Sequence, residues 1–233
     1  MEEKGRSPFV EYKYLARFIR LFVGLILFGL AGAMNLRSEL GLSPWNAFHQ
    51  GLSLVSGLSI GRVTQVVGVI IIVIDLIMRE PIGFGTVFNM IVVGEALDFF
   101  LESGLLPVPD SLVSRWIMLL GSIVVVAFGT YLYMSARMGA GPRDSMMVGF
   151  AKRITSVSVG MIRSMIEVGV LVAGWLMGGV IGIGTVCYAV LSGPIMQMFF
   201  RLFSYDVHSV HSENMLETIR IWSGTVIPRD QGE

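Results

Sequence analysis

The chain has 233 residues, of which 54% are hydrophobic and only 15% charged, with 17 Lys and Arg balanced by 17 Asp and Glu. A mean hydropathy of +0.73 and far less charge than the roughly 25% of a soluble domain mark a chain built for lipid. Zero net charge with no basic run argues against nucleic acid, and a single cysteine, Cys187 in an apolar run, excludes an internal disulfide or a multi-cysteine metal site.

In chain order, a polar segment over residues 1–17 leads into the first apolar window, Phe18–Leu36. About 20 helical residues cross a hydrocarbon core of ~30 Å, so this window is a span. Its centre, Leu21–Leu30 followed by Ala31–Ala33, has the form of a signal-peptide core. The acidic leader (Glu2, Glu3, Glu11) and an uncleaved counterpart later in the chain make it a retained span. Next comes GLSPWNAFHQGL, Gly41–Leu52. Proline after serine is a helix-start signal, with Ser43 as N-cap. Trp45, Phe48, Leu52 and Val55 then fall on one face, with Asn46, His49, Gln50 and Ser53 opposite. This short helix either lines a polar cavity as a half-length re-entrant element, its amides open to an anion, or lies flat among head groups with Trp45 as anchor.

Further windows follow at Gly61–Met78 and Phe84–Leu101, the second opened by GFGT, with LPVPD (Leu106–Asp110) in a linker over residues 104–115. Then come Trp116–Ser135, a second proline-opened stretch GAGPRDSMMVGF (Gly139–Phe150, N-cap Gly141), Ser164–Met177, a GIGT turn and Ile183–Phe203. The tail over residues 205–233 is polar, with a weak helical stretch near Glu213–Trp222.

The chain is an internal duplication. A shift of 98 or 99 residues puts Gly41 on Gly139, Pro44 on Pro142, Gly51 on Gly149, Ser59 on Ser158, Gly61 on Gly160, IGFGTV on IGIGTV and Gly94 on Gly193. The repeats cover residues 18–103 and 116–204. The expected fold is all-α, with six transmembrane helices in two three-span repeats, each with an extra proline-opened half-helix. An odd number of spans inverts the second repeat, a design common in secondary transporters. The positive-inside rule puts Lys4, Arg6, Lys13, Arg17, Arg20, Arg79, Arg137, Arg143, Lys152, Arg153 and Arg201 on the cytoplasmic side together with both termini. The competing eight-span count places Arg79, Arg137 and Arg143 outside.

Candidate site residues follow from polarity at membrane depth. Asn46, His49, Gln50, Asn89, Arg143 and Asp144 are candidates for binding, Arg143 offering charge to a carboxylate or phosphate. Ionisable residues inside spans are costly and point to function. Glu167, with Arg163 one turn earlier, and the pair Glu95 and Asp98 are candidates for proton or ion coupling, while Asp75 beside Arg79 reads as an interface pair. Gly83, Gly85, Thr86, Gly182, Gly184 and Thr185 form backbone turns for close helix packing; with no following lysine or flanking strand they make no phosphate loop.

The six-span layout, the proline-opened short helix and the GFGT turn resemble the bacterial YczE/YyaS/YitT group of integral membrane proteins over residues 18–203. The resemblance implies a bacterial inner-membrane location and carries over no site residue. The expectation is a secondary transporter or exporter of a small anionic or amphipathic solute, with the bilayer and that solute as partners and no cofactor, metal or nucleic acid. The alternative is an accessory membrane protein that helps a partner system through its C-terminal tail. An enzyme is not expected, since zinc and nucleophile motifs are missing and His208 and His211 lie on the tail.

Overall fold

The computed structural model describes residues 8–154, 156–205 and 213–222, and all the regular elements among them are helices. They are α1 (Pro8–Arg37), α2 (Pro44–Ser56), α3 (Ile60–Ile77), α4 (Phe84–Glu102), α5 (Leu112–Ser135), α6 (Pro142–Arg153), α7 (Val159–Leu176), α8 (Ile183–Leu202) and α9 (Met215–Trp222). Among the described residues five helices are long and apolar enough to cross a membrane: the Tyr14–Arg37 part of α1, then α3, α4, α5 and α8. The chain is a multi-pass membrane protein. The remaining long helix, α7, carries Arg163 and Glu167 within its 18 residues. Helix α1 starts ten residues before the apolar window because no glycine or proline interrupts residues 9–23. The expected tail histidines, His208 and His211, lie outside the described residues.

Each short helix starts as its residues dictate. Pro44 and Pro142 occupy the first turns of α2 and α6, behind Ser43 and Gly141 as N-caps. The chain reaches them through left-handed residues, Glu39 and Gly41 (φ 53° and 118°) in the first repeat and Arg137 and Gly139 (φ 57° and 113°) in the second. A φ near 115° lies outside what side chains other than glycine's readily adopt, which is why glycine recurs at that spacing.

The Gly-x-Gly-Thr turns then tie each repeat to the other. Gly85 N donates to Met138 O at 2.7 Å, and Gly184 N donates to Leu40 O at the same 2.7 Å. A methyl carbon built on Gly83 would lie 2.3 Å from Met138 O, and one on Gly182 would lie 2.4 Å from Leu40 O. Thr86 donates to Ala140 O at 2.6 Å and accepts from Gly83 N, while Thr185 accepts from Gly182 N. These two turns are therefore packing joints in which any side chain on the outer glycine would collide with backbone.

The helices pair in the same duplicated way. Helix α1 packs on α5 at the centre, α1 on α4 and α5 on α8 within repeats, and α2 on α7 and α3 on α6 across them. Gly24 sits against Gly129 and Tyr133, and Gly121 against Met34, so α1 and α5 run antiparallel. Two pairings are not duplicated: α3 packs along α4 whereas α7 and α8 scarcely meet, and α4 touches α6 whereas α8 scarcely meets α2.

The tail segment closes one end. Glu213 receives Arg17 Nη1 at 2.6 Å and the hydroxyls of Tyr14 and Thr218 at 3.1 Å, while Arg17 also donates to Ala136 O and Arg137 O. Both members of the ion pair are largely buried. Breaking a buried pair leaves its partner uncompensated, at about 3 kcal/mol. Glu213→Ala is expected to lower thermal stability in detergent by about that amount, and Glu213→Gln, which keeps hydrogen-bonding capacity, by less; equal losses in the two variants would show that the charge is immaterial.

Candidate functional site

The first turns of α2 and α6 meet between the repeats. Asn46 is held from α1: Asn35 Oδ1 accepts from Asn46 Nδ2 at 3.0 Å and from Ser43 N at 2.9 Å, and Asn35 Nδ2 donates to Gly41 O. A shift of 98 residues converts this clamp into Tyr133 and Asp144, and Tyr133 does donate to Asp144 Oδ2, at 2.7 Å. The scaffold contact is thus the same in both repeats, but the second copy holds a carboxylate where the first holds an amide. Asn89 completes the second copy, since a methyl on Gly141 would lie 3.6 Å from Asn89 Nδ2, 3.4 Å from Tyr133 Oη and 3.3 Å from Asp144 Oδ2.

Trp45 and Arg143, equivalent by the same shift, touch each other. The guanidinium lies over the indole at 4.3 Å, a cation–π contact of about 1–2 kcal/mol when desolvated. Arg143 Nη2 is 3.3 Å from His49 Nε2, and His49 Nδ1 is 2.9 Å from Thr64 Oγ1, which also donates to Ile60 O. Guanidinium has donors only, so His49 Nε2 is the acceptor. The hydroxyl proton of Thr64 is committed to Ile60, so Nδ1 carries hydrogen and donates to Thr64. His49, 1% exposed, is therefore a neutral imidazole that orients Arg143, rather than a residue on an open polar face.

The carboxylates of Asp144 and Glu167 and the phenols of Tyr133 and Tyr188 are the titratable groups around Arg143, bringing α5, α6, α7 and α8 into one cluster. On its edge Arg163 Nε donates to Glu167 Oε1 at 3.0 Å, as their i, i+4 spacing leads one to expect. Among the described residues the guanidinium of Arg143 has no carboxylate in direct contact, because Asp144 is turned to Tyr133. No trio of His, Cys, Asp or Glu among those residues is placed to hold a metal.

The other candidates lie elsewhere. Gln50 Oε1 accepts from Val180 N at 2.8 Å and so anchors the loop between α7 and α8. Glu95 and Asp98 sit in the α3–α4 seam with separate donors: Gln65 Nε2 at 2.9 Å for Glu95, and Ser59 Oγ at 2.5 Å and Gly61 N at 2.7 Å for Asp98. Asp98 thus caps α3. Asp75 differs from its sequence reading as an interface pair. It is 0% exposed, and neither carboxylate oxygen has a hydrogen-bond partner among the described residues.

Sequence reasoning missed Asn35, Thr64, Tyr133 and Tyr188. The repeat itself held the signal for two of them, since Asn35 and Tyr133 are 98 residues apart, the same spacing as the Asn46 and Asp144 they hold. The other two act only through partners distant in the chain.

The family of unknown function DUF6198 matches residues 15–201. An uncharacterized protein of Haemophilus influenzae is 33% identical over 188 residues, covering 81% of this chain and 85% of that protein. The uncharacterized membrane protein YczE of Bacillus subtilis is 33% identical over 190 residues, covering 81% and 87%. YyaS of the same organism is 26% identical over 183 residues, covering 77% and 90%. No solved structure matches the chain at a significant level. The chain belongs to the DUF6198 family, the YczE/YyaS type.

Proposed function

We propose that this DUF6198 protein is a secondary transporter of a small organic anion, built as two inverted repeats and working by alternating access. In this reading α7 is the sixth span, its two charges facing the cleft rather than lipid. The antiparallel crossing of α1 and α5 at equivalent positions supports a pseudo-two-fold axis lying in the membrane plane. Asn46 packs at Gly32, inside α1 rather than beyond its end, which supports α2, and by symmetry α6, as half-helices whose first turns meet at depth. The end carrying Arg17, Arg79, Arg137, Lys152, Arg153 and Arg201 is the cytoplasmic one by charge, in the bacterial inner membrane. Arg143, stacked and oriented but free of a bound carboxylate, is the anion's anchor. The protein is a carrier and not an enzyme. The accessory reading has less support, because the Glu213 segment that would dock a partner bonds its own chain.

One observation carries the proposal: the two equivalent seams are in opposite states. In the α3–α4 seam a methyl on Gly61 would lie 2.2 Å from Gly94 O, and one on Gly94 would lie 2.6 Å from Gly61 O. At the equivalent Gly160 and Gly193 nothing lies within 4 Å. One seam is shut and its twin is open, as expected for a carrier caught on one side of its cycle. Exchanging the conformations of the repeats gives the other side, with α7 shut on α8 and Gln197, the counterpart of Asp98, capping α7.

The test places cysteines in a Cys187→Ala background at Gln65 and Glu95, which meet across the shut seam, and separately at the equivalent Ser164 and Pro194. With a short bifunctional thiol reagent in native membranes both pairs are expected to link, and a chain with all four cysteines is expected not to carry both links at once. A Ser164–Pro194 pair that never links, while Gln65–Glu95 links completely, would overturn alternating access.

A further inference from the structure

The cluster around Arg143 holds two guanidinium groups, Arg143 and Arg163, and two carboxylates, Asp144 and Glu167, which together balance in charge. An anion added there would leave one negative charge uncompensated in a partly desolvated space, a costly arrangement. A positive charge has to arrive with it. The guanidinium groups are charged already, and the phenols of Tyr133 and Tyr188 can only lose a proton. Asp144 and Glu167 are held as acceptors, by Tyr133 Oη and Arg163 Nε. His49 remains, a neutral base in direct contact with Arg143 through Nε2.

The surroundings of His49 contain little other charge. From α3 it meets the neutral Thr64; Arg62 is exposed at the start of that helix, and Asp75 lies about three turns beyond Thr64. From α1 the polar neighbour of α2 is the neutral Asn35, which holds Asn46. Helix α7 packs on α2 through Gly174 and Gly51, and its ionisable residues Arg163 and Glu167 bond each other. On α6 Asp144 is turned to Tyr133, and α2 has no second ionisable side chain. Among the described residues Arg143 is therefore the charge that acts on the ring. The single lone pair of Nε2 can accept an N–H of Arg143 or bind a proton, but not both.

We infer that His49 is the coupling site of the carrier, binding one proton with each anion taken by Arg143. In the empty site the guanidinium covers Nε2. When Arg143 turns its donors to a carboxylate, Nε2 is freed and takes a proton from hydronium, leaving water. Nδ1 keeps its hydrogen and its bond to Thr64, and the new Nε2–H donates to the same carboxylate. Imidazolium and guanidinium repel each other unless the anion lies between them, so neither proton nor anion binds well alone. Such linkage is reciprocal: carboxylate affinity rises as pH falls. A monocarboxylate then crosses with no net charge, and a dicarboxylate carries one negative charge.

This inference rests on the anion-carrier reading, and the test separates the two. Sodium benzoate and sodium succinate, matched in pH, are added to protein in detergent with a pH indicator and little buffer, while thermal stabilisation reports binding. The native protein is expected to take up about one proton per bound anion, with affinity tightening by up to about tenfold for each unit that pH falls. His49→Gln keeps an oxygen to orient Arg143 but no base; it is expected to bind both carboxylates without proton uptake and with a flat pH profile. His49→Met, which installs the residue of the equivalent position Met147, is expected to lose the uptake and also to bind more weakly. A readout on the native ring comes from nitrogen NMR of a chain in which His208→Gln and His211→Gln leave His49 as the only histidine. Its imidazole is expected to be neutral with hydrogen on Nδ1, to become doubly protonated with saturating benzoate, and to protonate more readily in Arg143→Gln without any carboxylate. Binding without proton uptake, equal uptake in native protein and His49→Gln, or a ring indifferent to Arg143→Gln would overturn the inference and leave the anion carrier standing. A native protein that responds to neither carboxylate at any pH would overturn both.

Discussion

Arg143→Ala is expected to abolish recognition of carboxylate solutes while leaving a folded protein. The argument starts from how the side chain is held. Its guanidinium is stacked on Trp45 and oriented by the imidazole of His49, and the carboxylate of its chain neighbour Asp144 is engaged by Tyr133. A cation in that state is pre-organised, with its ordering costs already met in the free protein. Losing a charge-assisted contact in a partly desolvated cluster weakens binding by about 100-fold, or about 2.8 kcal/mol. The measurement is thermal stabilisation and charge movement in proteoliposomes across a panel of small carboxylates. Compounds that stabilise the native protein are expected to have no effect on the variant. Arg143→Lys is expected to restore little, since an ammonium neither stacks as a plane nor offers a fork to a carboxylate. Retention of every response in Arg143→Ala, or a panel in which only cations respond to the native protein, would remove the anion site.

The reach of the sequence explains why Arg143 could be proposed and its setting could not. Helix starts are local, and proline behind serine or glycine signals them at Pro44 and Pro142 without reference to the rest of the chain. Glycines at Gly41, Gly139, Gly83 and Gly182 were legible as a repeat because left-handed φ values and sub-3 Å backbone approaches exclude other residues at those points. Spans were legible as apolar windows, and among the described residues five of them are helices long and apolar enough to cross a membrane. Partnership across the repeats is a different kind of information. Nothing local to His49 says that Thr64 and Arg143 fix its tautomer, and a polar residue on an amphipathic short helix reads equally as cavity lining or buried support. Asp75 shows the same gap from the other side. Its neighbour Arg79 suggested a pair, but Arg79 adopts a left-handed conformation (φ 57°) at the turn after α3, and the carboxyl is buried with no hydrogen-bond donor among the described residues.

The sharpest mechanical test uses the glycines that distinguish the two seams. Gly160→Leu is expected to fold with native stability, within about 0.5 kcal/mol as for a surface change, because nothing lies within 4 Å of a methyl carbon built at Gly160. It is also expected to stop turnover. Closing α7 on α8 would bring Gly160 to Gly193 as Gly61 now meets Gly94, and there a methyl group alone would fall 2.2 Å from a carbonyl oxygen. Linking of the Ser164–Pro194 pair should therefore drop at least tenfold, with the Gln65–Glu95 pair unaffected or enhanced. Gly61→Leu should do the opposite, since its side chain collides with Gly94 O and with the Asp98 carboxylate that caps α3. It disfavours the shut α3–α4 seam and raises linking at the other. Opposite signs from one substitution at equivalent positions follow only if the repeats exchange conformations. Equal effects on both seams, or loss of fold in Gly160→Leu, would mean that the open seam is a permanent face of the protein and not half of a cycle.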